Sequence, residues 1–424
     1  MRKPRIVIRA FTLRRDAATA LLLARQLEQR GCDVIVASSR DFVRTMRYWK
    51  PDVAVINTVG QIERCTQLAP DASIVMLPGE GANARKHCDA VLLTDMPGAY
   101  EKVDRYLLWG KATEGHFREF LPDADHEKLV VCGNPRFDLV KFNTDLRNIP
   151  AEQKTVGFIG RYHVLNRYNA VPAIFSMQAP EKREGVLWQV ENFFCTITLI
   201  RRIIEQTDFQ ISIRPHPLEA PEGYSFMDED IFAGRVEVDD SVDVAAWTAR
   251  QRVIVAPSSQ SFYEAYLLGV PIINIDPLTG NAERIREITP NAALSQLVSH
   301  KPASYDEAIE LICSDLEPKS GNRVIDQHLE EYHEWSAPGS STRQTAEEIM
   351  SVVRSRKPQS GYRMPSVAMD LWDRISFSRV SRREPLHANF SYHRHFHRSP
   401  DYFEKIIDNI ESGHSILEAS AEAA

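Results

Sequence analysis

The stretch FQISIRPHPLEA, residues 209–220, ends an apolar strand pattern by setting Arg214 and His216 beside Pro215 and Pro217. Proline fixes the backbone and donates no N–H, so the strand exits stiffly with a guanidinium and an imidazole at its end. A second group follows in RVIVAPSSQSFYEAYLLGVPIINID, where Ser258, Ser259 and Gln260 stand between a buried strand pattern and a helix carrying Glu264. Hydroxyls and free N–H groups at a helix N-terminus can hold a phosphate. Glu264, a turn or two further in, is placed to accept hydrogen bonds from ribose hydroxyls. A third group is Gly79-Glu80-Gly81, after SIVML. Flanking glycines leave the Glu80 carboxylate accessible, and beside an acceptor hydroxyl it would serve as general base. Each group also has a plainer reading. Arg214 can pair with a carboxylate at a rigid strand end, a serine can simply cap a helix, and Glu80 can cap the turn that follows.

These residues lie at the ends of a repeated strand–helix series. RIVIRAF, DVIVASS, DVAVINT and SIVMLPG alternate with helical stretches such as DAATALLLARQLEQRG. Continuous apolar strands between amphipathic helices imply a parallel sheet covered on both faces. No GxGxxG follows the first strand, so a dinucleotide fingerprint is absent. The loop there holds Arg14, Arg15 and Asp16, of which Asp16 is also placed to cap the next helix. After a polar linker at 139–154 a second series begins with TVGFIG and runs through FQISIRP and RVIVAPSS to PIINID. Gly160 and Arg161 follow its first strand, where a glycine turn can lie against a ligand or merely close a buried strand. The expected organisation is α/β: an N-terminal Rossmann-like domain over 1–145, a second over 146–355, and a C-terminal extension over 356–424, basic and His-rich and then helical. Two such halves facing a cleft is the GT-B architecture.

SSQSFYEAYLLGVPIINID resembles the donor-nucleotide element of GT-B enzymes. With GEG at 79–81, HP at 216–217 and SS at 258–259, the set resembles bacterial surface-carbohydrate biosynthesis proteins, including Kdo transferases and bacterial sialyltransferases. LWGKATEGHF and GNPRFDL also look like segments of that family. The resemblance spans about residues 1–280, and its carboxylate motif departs in having Gly79 where a second acid is frequent. It implies that His216 binds the phosphate of a CMP-linked donor, with Arg214 adding charge neutralisation and Ser258, Ser259, Gln260, Glu264, Gly160 and Arg161 around the donor. It further implies Glu80 as base, with Arg14, Arg15 and Asp16 on the acceptor side. A single donor phosphate needs few hydrogen-bond donors as CMP departs, so transfer without a metal or cofactor is expected. The implied activity moves Kdo or a related nonulosonic acid onto a surface polysaccharide or glycolipid. A CDP-glycerol-type glycerophosphotransferase and a non-catalytic nucleotide-binding scaffold are the alternatives.

Composition bounds these readings. The 424 residues suit two domains, with 43% hydrophobic and 26% charged residues. A net charge of −7 argues against a general nucleic-acid binder. Six scattered cysteines without a CxxC suggest neither a disulfide framework nor zinc, and fit a reducing cytoplasm. MRKPRIVIRAF shows no signal-peptide pattern, and no run reaches the roughly 20 apolar residues of a membrane span. Contact with the inner membrane or with other polysaccharide-assembly proteins would be peripheral. The segment 374–398, with Arg374, Arg379, Arg382, Arg383 and four histidines, could meet anionic lipid or pack across the domains.

Overall fold

The computed structural model describes residues 3–82, 98–148, 155–167, 180–241, 243–279, 294–356, 363–365, 367–369, 371–372 and 400–417. By contacts the chain forms two compact units. One is Met1–Asn143 with Gln327–Ala424, and the other is Thr144–Asp326. The basic segment 374–398 lies outside the described residues.

The first unit opens with β1 (Arg5–Arg9), α1 (Leu13–Gln29), β2 (Asp33–Ala37), α2 (Ser39–Arg44), β3 (Val53–Ile56), α3 (Ile62–Leu68) and β4 (Ser73–Met76). It continues with β5 (Arg105–Leu108), α4 (Lys111–Phe120), β6 (Leu129–Val131) and the short α5 (Asp138–Lys141). Six parallel strands take the order β2-β1-β3-β4-β5-β6. β3 and β4 are buried at every position, as continuous apolar runs covered on both faces should be. The core beside this sheet includes Phe42, Met46 and Trp49, with Tyr106 edge-on to Phe117.

The second unit holds β7 (Thr155–Ile159), α6 (Pro180–Gln206), β8 (Ile211–Arg214), β9 (Val236–Val238), α7 (Val244–Ala249), β10 (Gln251–Ala256), α8 (Phe262–Leu267), β11 (Ile272–Asn274) and α9 (Tyr305–Cys313). Its parallel sheet runs β11-β10-β7-β8-β9. Leu199, Ile200 and Ile203 of α6 pack with Val156, Phe158, Ile211 and Ile213 in a separate core. In each sheet the chain reverses direction once, between β1 and β3 and between β7 and β10. Open parallel sheets bind ligands at such a point, beyond the carboxyl ends of the strands.

The chain then runs through α10 (Arg323–His333), α11 (Ser341–Ser355) and α12 (Pro400–Ser412). The sequence places 327–355 with the second domain, but the structure returns that segment to the first unit. There α11 packs on α1 and buries Thr342, Thr345, Ala346, Ile349 and Val352. α12, in the expected extension, also packs on α1, where Gln26 Nε2 donates to Glu411 Oε1 at 3.0 Å. Helical spacing identifies an apolar stripe without saying which core receives it.

Asp138 fixes this return. Its carboxylate is buried and accepts from Ser340 Oγ at 2.5 Å, Thr342 N at 2.7 Å and Ser341 N at 3.3 Å. Burial raises the pKa of Asp138, opposed by the Ser340 and Thr342 donors and the Lys141 charge. Asp138→Ala would strand buried donors at the start of α11, so a loss of about 2–3 kcal/mol is expected in urea unfolding. Retention of wild-type stability would remove Asp138 as the anchor. No described helix is long and apolar enough to cross a membrane.

Candidate functional site

At the carboxyl edge of the second sheet, β8 ends on Arg214 and the chain turns through Pro215, His216 and Pro217. Arg214 is directed differently from the sequence expectation. Its Nη1 lies 2.6 Å from Asp239 Oδ1 and 3.0 Å from Ser241 Oγ, and its Nη2 donates to Ser241 O at 2.8 Å. The ion pair is nearly buried, with side-chain exposures of 5% and 11%. Asp239 also pairs with Arg250 at 3.0 Å. Arg214 therefore ties the end of β8 to the segment after β9, because a guanidinium leaving water there needs a carboxylate.

His216 is half-buried. Its Nδ1 accepts from Leu218 N at 3.1 Å, so in the neutral ring Nε2 carries the proton and is the donor. The ring lies 4.8 Å from that of His163, tilted by 31°. Burial, with Arg161 and Arg167 adding to it, lowers the pKa of His163 and favours its neutral form. The two imidazoles thus combine a fixed N–H donor with a neighbouring base. His163 was not singled out in the sequence, although it lies only four residues beyond the end of β7 in GFIGRYH.

Gly160 shows why that exit must be glycine. A Cβ there would lie 2.6 Å from both Glu219 Oε2 and Tyr224 Oη, and 3.2 Å from His216 N. The buried Glu219 accepts from Tyr224 Oη at 2.5 Å and from the Tyr162 backbone N–H. It braces the exits of β7 and β8 from beneath. Arg161 is half-buried, 5.0 Å over the Trp188 ring, and burial lowers its pKa while Asp276 opposes the shift.

The serines divide between fold and surface. Ser258 is buried, and its hydroxyl donates to Asp276 Oδ2 at 2.6 Å and accepts from Asn274 Nδ2 at 2.9 Å. Its backbone N–H reaches the same Asp276 oxygen at 3.0 Å. The Ser258 hydroxyl is therefore directed into the β10–β11 edge rather than outward. Ser259 Oγ accepts from Ser261 N at 3.3 Å, Gln260 is exposed, and Glu264 is buried in the first turn of α8. Asp276, raised in pKa by burial, escaped the sequence reading because only its position just beyond β11 marks it.

In the first unit, Asp16 Oδ2 accepts from Phe11 N at 2.8 Å and Thr12 N at 3.0 Å, closing the loop into α1. Arg15 links Asp16 Oδ1, 2.9 Å from Nε, to Glu80 Oε1, 3.1 Å from Nη1. Burial alone would lower the pKa of Arg15, but the two carboxylates outweigh it and the net direction is upward. Glu80 is exposed, whereas Arg14 is buried. A pocket opens between β1 and β3, lined by Arg9, Arg15, Asp16, Asn57, Trp109 and Arg136 among others. The Gly81 backbone lies so close to the Trp109 ring that a Cβ would overlap it. GNPRFDL contributes Asn134, Pro135 and Arg136 to the pocket wall.

Behind this wall, Asn134 Nδ2 lies 3.0 Å from His333 Nδ1, and His328 stands 5.8 Å from His333 by ring centroid. Burial pushes His328 down to about 4 and His333 well below 6.5. The unfolded chain then takes up protons first, so stability is full above about 6.5 and is lost as pH falls towards about 4. Urea midpoints at pH 7 and pH 5 check this, and His328→Gln should flatten the difference. An unchanged midpoint between those pH values would contradict it.

Among the described residues, no group of three or more His, Cys, Asp or Glu is arranged to hold a metal ion. Two parallel sheets with covering helices define an α/β protein of the GT-B type. No protein-family model matches the chain, and no curated protein matches it in sequence. Among solved structures it is similar to the wall teichoic acid polymerase TagF, solved as a histidine variant. That likeness has a TM-score of 0.53 and 10% identity, over 84% of this chain and 90% of that one. It is also similar to the S. aureus MnaA–UDP complex, with a TM-score of 0.45 and 16% identity over 85% and 100% of the two chains. A third is the UDP-GlcNAc 2-epimerase of Methanocaldococcus jannaschii with UDP-GlcNAc and UDP, with a TM-score of 0.45 and 12% identity over 82% and 100%. At 10% identity the likeness to TagF shows the fold alone.

Proposed function

We propose that the chain is a GT-B-fold transferase that takes an activated group from a cytidine nucleotide held at the edge of the second sheet. In the preferred reading the donor is a CMP-linked sugar, Kdo or a related nonulosonic acid, and the acceptor is a surface glycan or lipid-linked glycan. The observation that carries it is the imidazole pair at the carboxyl edge of β7 and β8. His216 presents Nε2–H to the departing phosphate, with Arg161 supplying positive charge nearby. Ser259 and Gln260 offer further donors at the turn before α8, while Arg214 and Ser258 hold the edge in shape. In the first unit Glu80, oriented by Arg15, serves as the base for the acceptor hydroxyl. One donor phosphate is matched by these groups, so turnover that survives EDTA is expected.

The same histidine pair supports a second reading, a CDP-glycerol-type glycerophosphotransferase. There the acceptor hydroxyl attacks phosphorus, the bond to the CMP oxygen breaks, and the neutral imidazole takes the hydroxyl proton. The likeness to TagF, solved both as histidine variants and after a CDPG soak, favours testing it. Calorimetry against CMP, CDP and UDP, followed by turnover of a CMP-sugar and of CDP-glycerol, separates the two. Tight UDP binding with no response to either cytidine nucleotide would remove both, and nucleotide binding without turnover of either donor would favour a scaffold.

A further inference from the structure

We propose that the face of the first unit formed by Tyr48, Val367, Leu371 and Trp372 seats the protein on a bilayer surface rich in anionic lipid. Two segments build it. Thr45–Trp49 is a π-helical turn that buries Thr45, Met46 and Trp49 and leaves Arg47 and Tyr48 exposed. The chain from Arg363 onward is tethered to it. Arg363 Nη2 donates to Asp52 Oδ1 at 2.8 Å, and Met364 N donates to Tyr48 O at 3.0 Å. Helical backbone follows at 367–369 and 371–372. There Met369 enters the core that holds Met46 and Trp49, which fixes the inner side of the helix. Val367 and Leu371, four positions apart and so on one helical face, remain 79% and 60% exposed.

An aromatic pair joins the two segments. The rings of Tyr48 and Trp372 lie 5.3 Å apart by centroid. The Arg44 guanidinium, ion-paired to Asp41 at 2.6 Å, lies 5.4 Å from the Trp372 ring. Trp372 is thus held in place, yet both aromatic side chains stay exposed. Single exposed apolar residues are ordinary, whereas four gathered on two tethered segments mark a surface built for contact.

Charge selects the occupant. Arg47 and Lys50 are exposed on either side of Tyr48 and Trp49 in the sequence. From Arg354 to Arg398 the sequence carries ten Arg and Lys against three acids, in a chain whose net charge is −7. A two-fold contact with a second copy would set this basic face against itself. An anionic headgroup layer complements it, since basic residues gain near such a surface. Trp and Tyr settle at headgroup depth, with the aliphatic side chains beside them entering the acyl boundary.

This surface stands independently of the transferase reading. The full chain is floated with vesicles of phosphatidylcholine, alone or mixed with phosphatidylglycerol. Binding to the mixed vesicles that weakens as salt rises is expected, with little response to phosphatidylcholine alone. Leu371→Ser combined with Trp372→Ser should weaken it by about tenfold or more, through lost apolar insertion. Arg47→Gln combined with Lys50→Gln should weaken it by about tenfold and flatten the salt dependence. All four positions are exposed, so melting temperatures and CMP calorimetry should match the parent. A chain that floats but ignores every nucleotide keeps the membrane face and removes the nucleotide reading. No flotation with phosphatidylglycerol, or flotation indifferent to it, would overturn the proposal. So would variants that float as the parent does, which would assign the attraction to residues outside this face. Light scattering without vesicles supplies the last check: a multimer that Leu371→Ser with Trp372→Ser disperses would make the face a contact between copies instead.

Discussion

His216→Ala is expected to lower kcat/KM for the activated donor by about 10²–10⁴ while leaving the fold intact. The ring is half-buried at the end of a strand whose register is held by other residues, so its loss costs little packing. What disappears is the Nε2–H whose direction is fixed by the Leu218 backbone donating to Nδ1. A donor aimed at developing charge acts mainly in the transition state, so the loss should appear in kcat more than in CMP affinity. His163→Asn provides the companion measurement. Because burial and two arginines lower the pKa of His163, the acid limb of kcat/KM should fall below the ordinary 6.5 in the parent if His163 is the base. The limb should vanish in the variant. If His216→Ala turns over within twofold of the parent, the imidazole pair is structural and the catalytic reading fails. Glu80→Gln is a separate check on the acceptor side, since full transfer by that variant would remove the base and spare the donor site.

Arg214→Met is expected to destabilise the second unit by about 3–5 kcal/mol, because it leaves the nearly buried Asp239 carboxylate without its main cation. Arg250, half-exposed on its own side of the pair, offers weaker compensation. A stability loss this large separates two roles that the sequence leaves open. A phosphate ligand would lose donor affinity on substitution with the urea midpoint unchanged, whereas a structural clamp loses the midpoint first. Hydrogen exchange should place the loss in β8, β9 and the start of α7. Arg214→Met combined with Asp239→Leu should recover part of it, since replacing both partners of a buried pair by apolar groups removes the stranded charge. A single variant as stable as the parent, but deaf to cytidine nucleotide, would return Arg214 to the donor site.

The parallel strands were legible because each is a run of consecutive apolar residues, a pattern that a strand covered on both faces requires and that needs no partner to recognise. The helices of the alternating series were legible for a similar reason, and so was the turn chemistry of Asp16, whose capping contacts are local. The destination of α11 and α12 was not. Both carry amphipathic spacing that any core would accept, and contact with α1 depends on a distant return of the chain, 385 residues on between Gln26 and Glu411. The pocket was half legible: the TLRRD loop marked Arg15, whereas GNPRFDL stood out only as a segment and nothing in RIVIRAF set Arg9 apart from any strand-end charge.

RPHP shows where the division falls. Its residues alone determined a stiff exit from a buried strand, since proline restricts φ wherever it stands, and they determined that an arginine and a histidine would lie at a sheet edge. Only the tertiary structure decided what those groups face. Strand order sets β8 between β7 and β9, so Arg214 meets Asp239 from one neighbour and His216 meets His163 from the other. Such pairings join residues 25 and more positions apart, and local propensity carries no information about which strand will lie alongside.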